Sequence, residues 1–465
     1  MNMINVRRLT VMTFLGASML SGISAQVSPL QVDTLKETKI PDQWDLQSCI
    51  DYAKEQNITI RKNRITAVST QIDVKTAKAA LFPSLSFSTG HQVVNRPYQE
   101  TSSRVSGSEI ISSNSKTSYN GNYGLNASWT LYNGNKRLKT IQQEKLNNQM
   151  AELDVATSEN NIQESIAQVY IQILYAAESV KVNENTLQVS IAQRDRGQEL
   201  LNAGSIAKSD LAQLEAQVST DRYQLVTAQA TLEDYKLQLK QLLELDGENE
   251  MNIYLPALSD ENVLAPLPTK RDVYISALSL RPEIEASKLN VEASELGINI
   301  AKSSYFPTIS LSAGIGTNHT SGSDFTFGEQ VKNGWNNSIG LSVSMPIFNN
   351  RQTKSAVQKA KLQYETSMLS LLDEQKALYK TIESLWLDAN SAQQRYAAAN
   401  EKLKSTQISY ELISEQFNLG MKNTVELLTE KNNLLQAQQE QLQAKYMAIL
   451  NTQLLKFYQG DQLAL

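Results

Sequence analysis

The chain repeats itself, and that duplication limits what it can fold into. The segment Ala77–Gly90, AKAALFPSLSFSTG, returns as AKSSYFPTISLSAG at Ala301–Gly314, with seven of fourteen positions identical. Farther on, Leu125–Asn147 matches Leu341–Gln363 and Leu201–Ala212 matches Phe417–Leu428, both at an offset of 216 residues. The first pair is offset by 224, so the first copy carries eight extra residues in its polar loop near RPYQETSSRVSGSEIISSNS. A unit of about 200 residues is too long for a solenoid repeat. Each copy is a structural half: 46–245 and 272–458, joined by a linker over 246–271, with a linker at 26–45 and a tail at 459–465.

Each half has the same order of pieces. A helical stretch of about 35 residues (Leu46–Ala80; Asp272–Ser304) ends at Phe82-Pro83 or Phe306-Pro307, because proline disfavours helix in the residue before it. These four residues mark where the strands begin. Beyond them the pattern alternates. Ile309, Leu311, Ala313 and Ile315 face one way and Thr308, Ser310, Ser312 and Gly314 the other. Ile339, Leu341, Val343, Met345 and Ile347 do the same, as do Tyr119, Tyr123, Leu125, Ala127, Trp129 and Leu131 in the first half. A period of two means strand. Each strand is about 11 residues, enough for a tilted strand to cross a bilayer. One face is apolar and the other almost all Ser, Asn, Thr and Gly, as in a wet lumen. Trp129 and Trp335 stand where an aromatic girdle at the membrane surface would place them.

Very long helices follow. From Asn135 to Gln241 there is no proline, and glycine occurs only at Gly197 and Gly204. From Leu341 on, Gly420, Gly460 and Pro346 are the only such residues. Leu211, Val218, Leu225, Leu232 and Leu239 fall seven apart, as do Leu428, Leu435, Leu442 and Ile449, which marks helices packed side by side. The first long helix spans roughly 70 residues, or ~105 Å, and the two shorter ones together reach about the same length. The chain therefore rises through a short helix into a strand pair and descends the long helix. It turns at Gly204 or Gly420 and climbs halfway back. Four strands cannot close a membrane barrel, since about eight is the floor, and lipid tolerates no open sheet edge. The chain must assemble with copies of itself.

Other features exclude alternatives. Arg7 and Arg8, the apolar run Leu9–Leu20 and the small residues after it have the order of a secretory signal, with cleavage expected after Ala25. The formal charge is −5, against a nucleic-acid partner. One cysteine, Cys49, rules out an internal disulfide, and two histidines far apart in sequence, His91 and His319, give a metal site little to work with. No cofactor is expected. Phosphate loops, nucleophile elbows and metal spacings are absent, so an enzyme is not expected. A structural or adhesive coiled-coil surface protein remains as the rival to a transport duct.

The duplicated Phe-Pro strand starts, the strand ends LYNGN and IFNNR, and the paired turns NAGSIAKSDL and NLGMKNTVEL resemble the TolC-like outer-membrane efflux family over about Leu46–Tyr458. The resemblance implies a mixed membrane α+β fold. Three chains would share one 12-stranded outer-membrane β-barrel, four strands each, continued by a periplasmic α-helical barrel. It also implies a passive exit duct that takes cargo from an inner-membrane pump through a periplasmic adaptor, in an efflux or type I secretion system. By that likeness Gly204 and Gly420 are the tip turns that meet the adaptor. Ser209, Asp210, Phe417, Lys422 and Glu426 stand at the positions of the pore gate, with Asp210 and Lys422 as opposite charges between neighbouring helices. Two departures stand out. Phe417 lacks the hydroxyl of the family's tyrosine, and Thr130 replaces a proline that Pro346 keeps in the second half.

Overall fold

The structure, a computed structural model, describes residues 41–98, 102–106, 109–113, 116–246, 251–256, 263–321 and 325–463. The expected signal segment 1–25 lies outside the described residues, as does the linker 26–45 up to residue 40. The elements below all belong to one compact unit, Gln43–Leu465.

The first half opens with α1 (Leu46–Gln56) and α2 (Ile58–Ala79), then β1 (Ser84–Asn95), a hairpin of β2 (Ser102–Ser106) and β3 (Glu109–Ser113), and β4 (Thr117–Asn133). Next come α3 (Lys136–Asn202) and its return helix α4 (Lys208–Leu242). The second half runs α5 (Lys270–Leu280), α6 (Pro282–Lys302), β5 (Thr308–Thr320), α7 (Phe327–Asn333), β6 (Asn336–Ser344), α8 (Gln352–Asn418) and α9 (Thr424–Gln459). The long helices α3 and α8 have 67 residues each, or ~100 Å at 1.5 Å per residue.

Three details differ from the sequence expectation. Each opening helix is two helices. Pro282 cannot follow a helical residue without a clash, so Arg281 is extended at ψ 123° and α5 stops there. In the first half Asn57 does the same without a proline. Its side chain accepts the Thr59 amide at 2.9 Å and donates to the Leu242 carbonyl at 3.0 Å, which caps α2 and docks the break on the end of α4. Second, the loops at the far end of the sheet are not equivalent: the first holds the β2–β3 hairpin and the second the short helix α7. Third, β6 ends at Ser344, so Met345 and Ile347 are not in the strand, and β4 carries an irregularity between Thr130 and Tyr132 that removes Leu131 from the alternation.

The core lies where the two halves meet. Trp44, Cys49, Ile50, Ile166, Tyr170, Leu174, Leu239, Tyr396, Tyr446 and Leu450 form one buried cluster from α1, α3, α4, α8 and α9. Val273, Ala277, Ile284, Ile382, Leu455 and Tyr458 form a second. The linker is stitched into the first: Trp44 donates to the Asn252 carbonyl and accepts from the Tyr254 amide, both at 2.8 Å. Beside it Arg281 is buried between Glu164 (2.6 Å) and Glu283 (3.1 Å), its guanidinium 3.8 Å over the Tyr458 ring. The second half's α6 packs against both α3 and α8.

The strands form one antiparallel sheet in the order β1-β4-β5-β6. Register separates an apolar from a polar face over the rows nearest the helices, although the apolar row through Ile315 ends on Asn337 of β6. Leu85, Ala127, Ala313 and Ile339 make one row and Phe87, Leu125 and Ile315 the next. On the opposite face Ser86, Asn126, Gly314 and Ser338 align, as do Ser84, Ser128, Ser312 and Gly340. Strand meets helix through consecutive left-handed residues: Gly134 and Asn135 (φ 66° and 62°) before α3, Asn350 and Arg351 (φ 50° and 64°) before α8. A Cβ on Gly134 would stand 2.6 Å from the Ser303 carbonyl oxygen, so glycine is required there.

Candidate functional site

Two regions face the expected partners: the paired turns at one end of the helices, and the strand band at the other.

Each turn closes a long helix with the same hydrogen bonds. Ser205 donates back to the Leu200 carbonyl at 2.8 Å and Gly204 to Leu201 at 2.9 Å. Met421 donates to Gln416 at 2.8 Å and Gly420 to Phe417 at 2.9 Å. This closure requires a left-handed residue, and Gly204 and Gly420 supply it at φ 74° and 73°. Nothing lies within 4 Å of where a Cβ would stand on either glycine. Leu419, Met421 and Val425 around the second turn are exposed apolar side chains.

The gate candidates divide. Asp210 and Glu426 are equivalent across the repeat, and each closes the start of a return helix. Asp210 accepts from the Ala207 amide at 3.0 Å. Glu426 accepts from the Asn423 amide at 3.2 Å while the Asn423 side chain accepts from Glu426 at 2.9 Å. A carboxylate there also suits the helix dipole. Lys422 is bonded to Glu426 at 2.6 Å, and that ammonium, with the Asn423 amide, holds the Glu426 carboxyl below its usual range. Within the chain the cation expected to face Asp210 is therefore engaged by its own helix. Ser209 is exposed. Phe417 is 3% exposed, so it packs inside the chain beneath the second turn.

About three to five helical turns from the glycines is a cluster that the sequence reading missed. Lys431 of α9 bonds both Asp221 of α4 and Ser190 of α3, and Ser190 donates to Asp221. Lys431 and Asp221 are 3% and 2% exposed. Gln217 extends the network, donating to Asp221 at 2.9 Å and to Asn432 at 3.4 Å. Burial lowers the Lys431 pKa, and Asp221 opposes the shift. The signal was available. Leu211, Leu214 and Val218 line the α4 seam and Thr424 and Leu427 the α9 seam. The same 3-4 spacing puts Asp221 and Lys431 at the next positions. The heptad read from Leu428 and Leu435 is one residue off here, since both are only half-buried.

At the other end Phe82 and Phe306 are exposed, and β1 and β5 begin one residue after Pro83 and Pro307. Trp129 donates from Nε1 to the Leu81 carbonyl at 2.7 Å, and Arg137 donates to the Ala80 carbonyl at 2.6 Å. Both satisfy the end of α2 exactly where sheet becomes helix. Trp335 adjoins β6, which pairs with Gly316 at its first residue, Asn336. Trp129 and Trp335 thus stand at opposite ends of the sheet, about six residues or ~20 Å apart along the strands. Leu85, Phe87 and Ile339 lie between these levels, Leu341 is level with Trp129 and Val343 stands one pair nearer the helices, and all five are exposed. Among the described residues no helix is long and apolar enough to cross a membrane, and no group of three or more His, Cys, Asp or Glu could hold a metal ion.

The chain matches the outer membrane efflux protein family over residues 49–244 and 273–460, one segment in each half. The outer membrane efflux protein BepC of Brucella suis is 24% identical over 63% of this chain and 61% of its own length. The outer membrane protein TolC of Escherichia coli is 24% identical over 61% of this chain and 58% of its own. The chain thus spans about three fifths of these two relatives. In three dimensions it is similar to the outer membrane protein VceC of Vibrio cholerae, with a TM-score of 0.73, 16% identity and coverage of 90% of this chain and 97% of that one. With the matched segments covering most of both halves, the chain belongs to the outer membrane efflux protein family.

Proposed function

We propose that three copies of this chain form an outer-membrane exit duct of a tripartite efflux or type I secretion system. The carrying observation is the sheet. Its four strands present one apolar and one polar face, and its outer strands, β1 and β6, each have an edge that no other described strand pairs with. Lipid does not tolerate such edges. Pairing β6 of one copy with β1 of the next closes them, and three copies give twelve strands around a polar lumen. The halves 46–245 and 272–458 are then two similar staves of each subunit, and the 246–271 linker lies at mid-height. The long helices continue the lumen into the periplasm. A surface coiled-coil protein without transport has no use for the apolar band.

Gly204 and Gly420 are the docking turns for a periplasmic adaptor, which brings cargo from an inner-membrane pump. The exposed Leu419, Met421 and Val425 give that adaptor an apolar contact. Asp210, Lys422 and Glu426, with Ser209 on the surface and Phe417 as the packed support, form the gate. Trp129 and Trp335 anchor the barrel at the two lipid surfaces. The native mass of the detergent-extracted particle tests the assembly: it is expected near three chains, and a stable monomer or dimer refutes it.

A further inference from the structure

The chain's only two histidines, His91 and His319, are 228 residues apart, yet the sheet brings them together. His91 of β1 pairs with Gly121 of β4, and Gly121 pairs with His319 of β5. All three point to the same face. Gly121 leaves a notch, and both imidazoles lean into it. Nδ1 of His319 lies 2.6 Å, and Nδ1 of His91 3.2 Å, from where a Cβ would stand on Gly121. The two nitrogens are therefore within about 6 Å of each other. Tyr119 and Tyr123 flank the glycine and complete a ring of four. His91 stacks on Tyr119 with centroids 5.7 Å apart, and His319 on Tyr123 at 6.1 Å.

The hydrogen bonds set which nitrogens are available. His91 Nε2 is 3.1 Å from Thr89 Oγ1, and its Nδ1 is 2.7 Å from the Tyr119 hydroxyl. With Nε2–H donating to Thr89, Nδ1 carries the lone pair and accepts from Tyr119. His319 Nδ1 is enclosed and has no hydrogen-bond partner among the described residues. An enclosed polar atom without a partner is unfavourable, and it faces the same notch.

We propose that His91 and His319 together bind a divalent transition-metal ion, Zn2+, Cu2+ or Ni2+, through their Nδ1 atoms over Gly121. Neutral imidazole suits these ions. A zinc–nitrogen bond is about 2.0–2.1 Å, so the rings need only a modest approach; His91 is exposed, and the ion takes its Nδ1 lone pair in place of the Tyr119 hydroxyl that now donates to it. Thr89 acts as the outer partner that fixes the ligand tautomer. With no third His, Cys, Asp or Glu grouped there, the remaining positions go to water or the Tyr119 phenol, which keeps the site open and exchangeable. The ion clips β1 of the first half to β5 of the second at the end of the sheet away from the helices.

The test uses the untagged, detergent-extracted oligomer and the metal alone. Equilibrium dialysis against Zn2+ is expected to give one ion per chain. His91→Phe and His319→Phe, which keep a ring over the glycine, are each expected to weaken binding at least tenfold. Electron paramagnetic resonance of the parent loaded with Cu2+ is expected to carry the splitting of two nitrogens. No zinc bound by the parent overturns the site and leaves the rings as cover for a glycine in a sheet. Unchanged binding in either variant overturns it as a shared site. Should the variants fail to assemble, the copper spectrum decides: two nitrogens support the site, and one or none refutes it.

Discussion

Replacing Lys431 alone would leave the Asp221 carboxylate in a helix seam with no cation. The magnitude follows from burial. Both groups are at most 3% exposed, and removing one partner of a buried pair costs about 3–5 kcal/mol because the other charge stays buried. Lys431→Met and Asp221→Leu are each expected to cost that much. The double variant removes both charges but strands the Ser190 hydroxyl, which now donates to Asp221, at about 1–3 kcal/mol. Adding Ser190→Ala returns the seam to within ~1 kcal/mol of the parent, since an apolar replacement of a buried pair is often neutral or better. Hydrogen exchange of the amides in α4 and α9 reads this locally, where a global melt of a large membrane assembly does not. A loss of 3 kcal/mol accelerates exchange about a hundredfold. If each single variant exchanges within fivefold of the parent, or if the double equals the sum of the singles, the pair is not the tie between α4 and α9.

The turns and the gate give further expectations. Gly204→Val and Gly420→Val force a β-branched residue to φ near 74°, a strain of about 1–2 kcal/mol. Neither Cβ meets a neighbour, so both proteins are expected to assemble in the outer membrane yet lose export; export at the parental rate refutes the docking role. Lys422→Glu sets a second carboxylate beside Glu426 and is expected to raise channel conductance, more so at low salt where screening is weak; conductance equal to the parent's across salt removes Lys422 from the gate. The Glu426 pKa is depressed from its ordinary 4.5. Its pairing with Lys422 is therefore intact above that value and is lost as pH falls through the folded pKa. Protease cleavage at the second turn is expected to rise only in that acid range, and Glu426→Gln is expected to abolish the pH dependence.

Much of this was legible in the sequence because the duplication reports each element twice. Phe-Pro marked both strand starts, the alternation of Ile309 to Ile315 fixed a face, and the scarcity of glycine isolated Gly204 and Gly420. What stayed hidden depended on partners distant in the chain. Asn57 breaks a helix by bonding Leu242, 185 residues away, and no local pattern announces that; Pro282 is a local signal for the second break, which the expectation of one helix over Asp272–Ser304 passed over. Asp221 and Lys431 read as ordinary helix charges until the seam register places them inside. His91 and His319 read as isolated because only strand order puts them beside one glycine. The resemblance sets Asp210 and Lys422 as opposite charges between neighbouring helices, whereas the bond that Lys422 makes within the chain, to Glu426 one helical turn on, is a local capping contact.

The central claim is that assembled copies enclose a continuous aqueous path. Single-channel recording of the purified particle in a planar bilayer tests it most directly. The account predicts discrete, reproducible conductance steps that grow in Lys422→Glu. A particle of three chains that inserts into the bilayer and passes no current would contradict it.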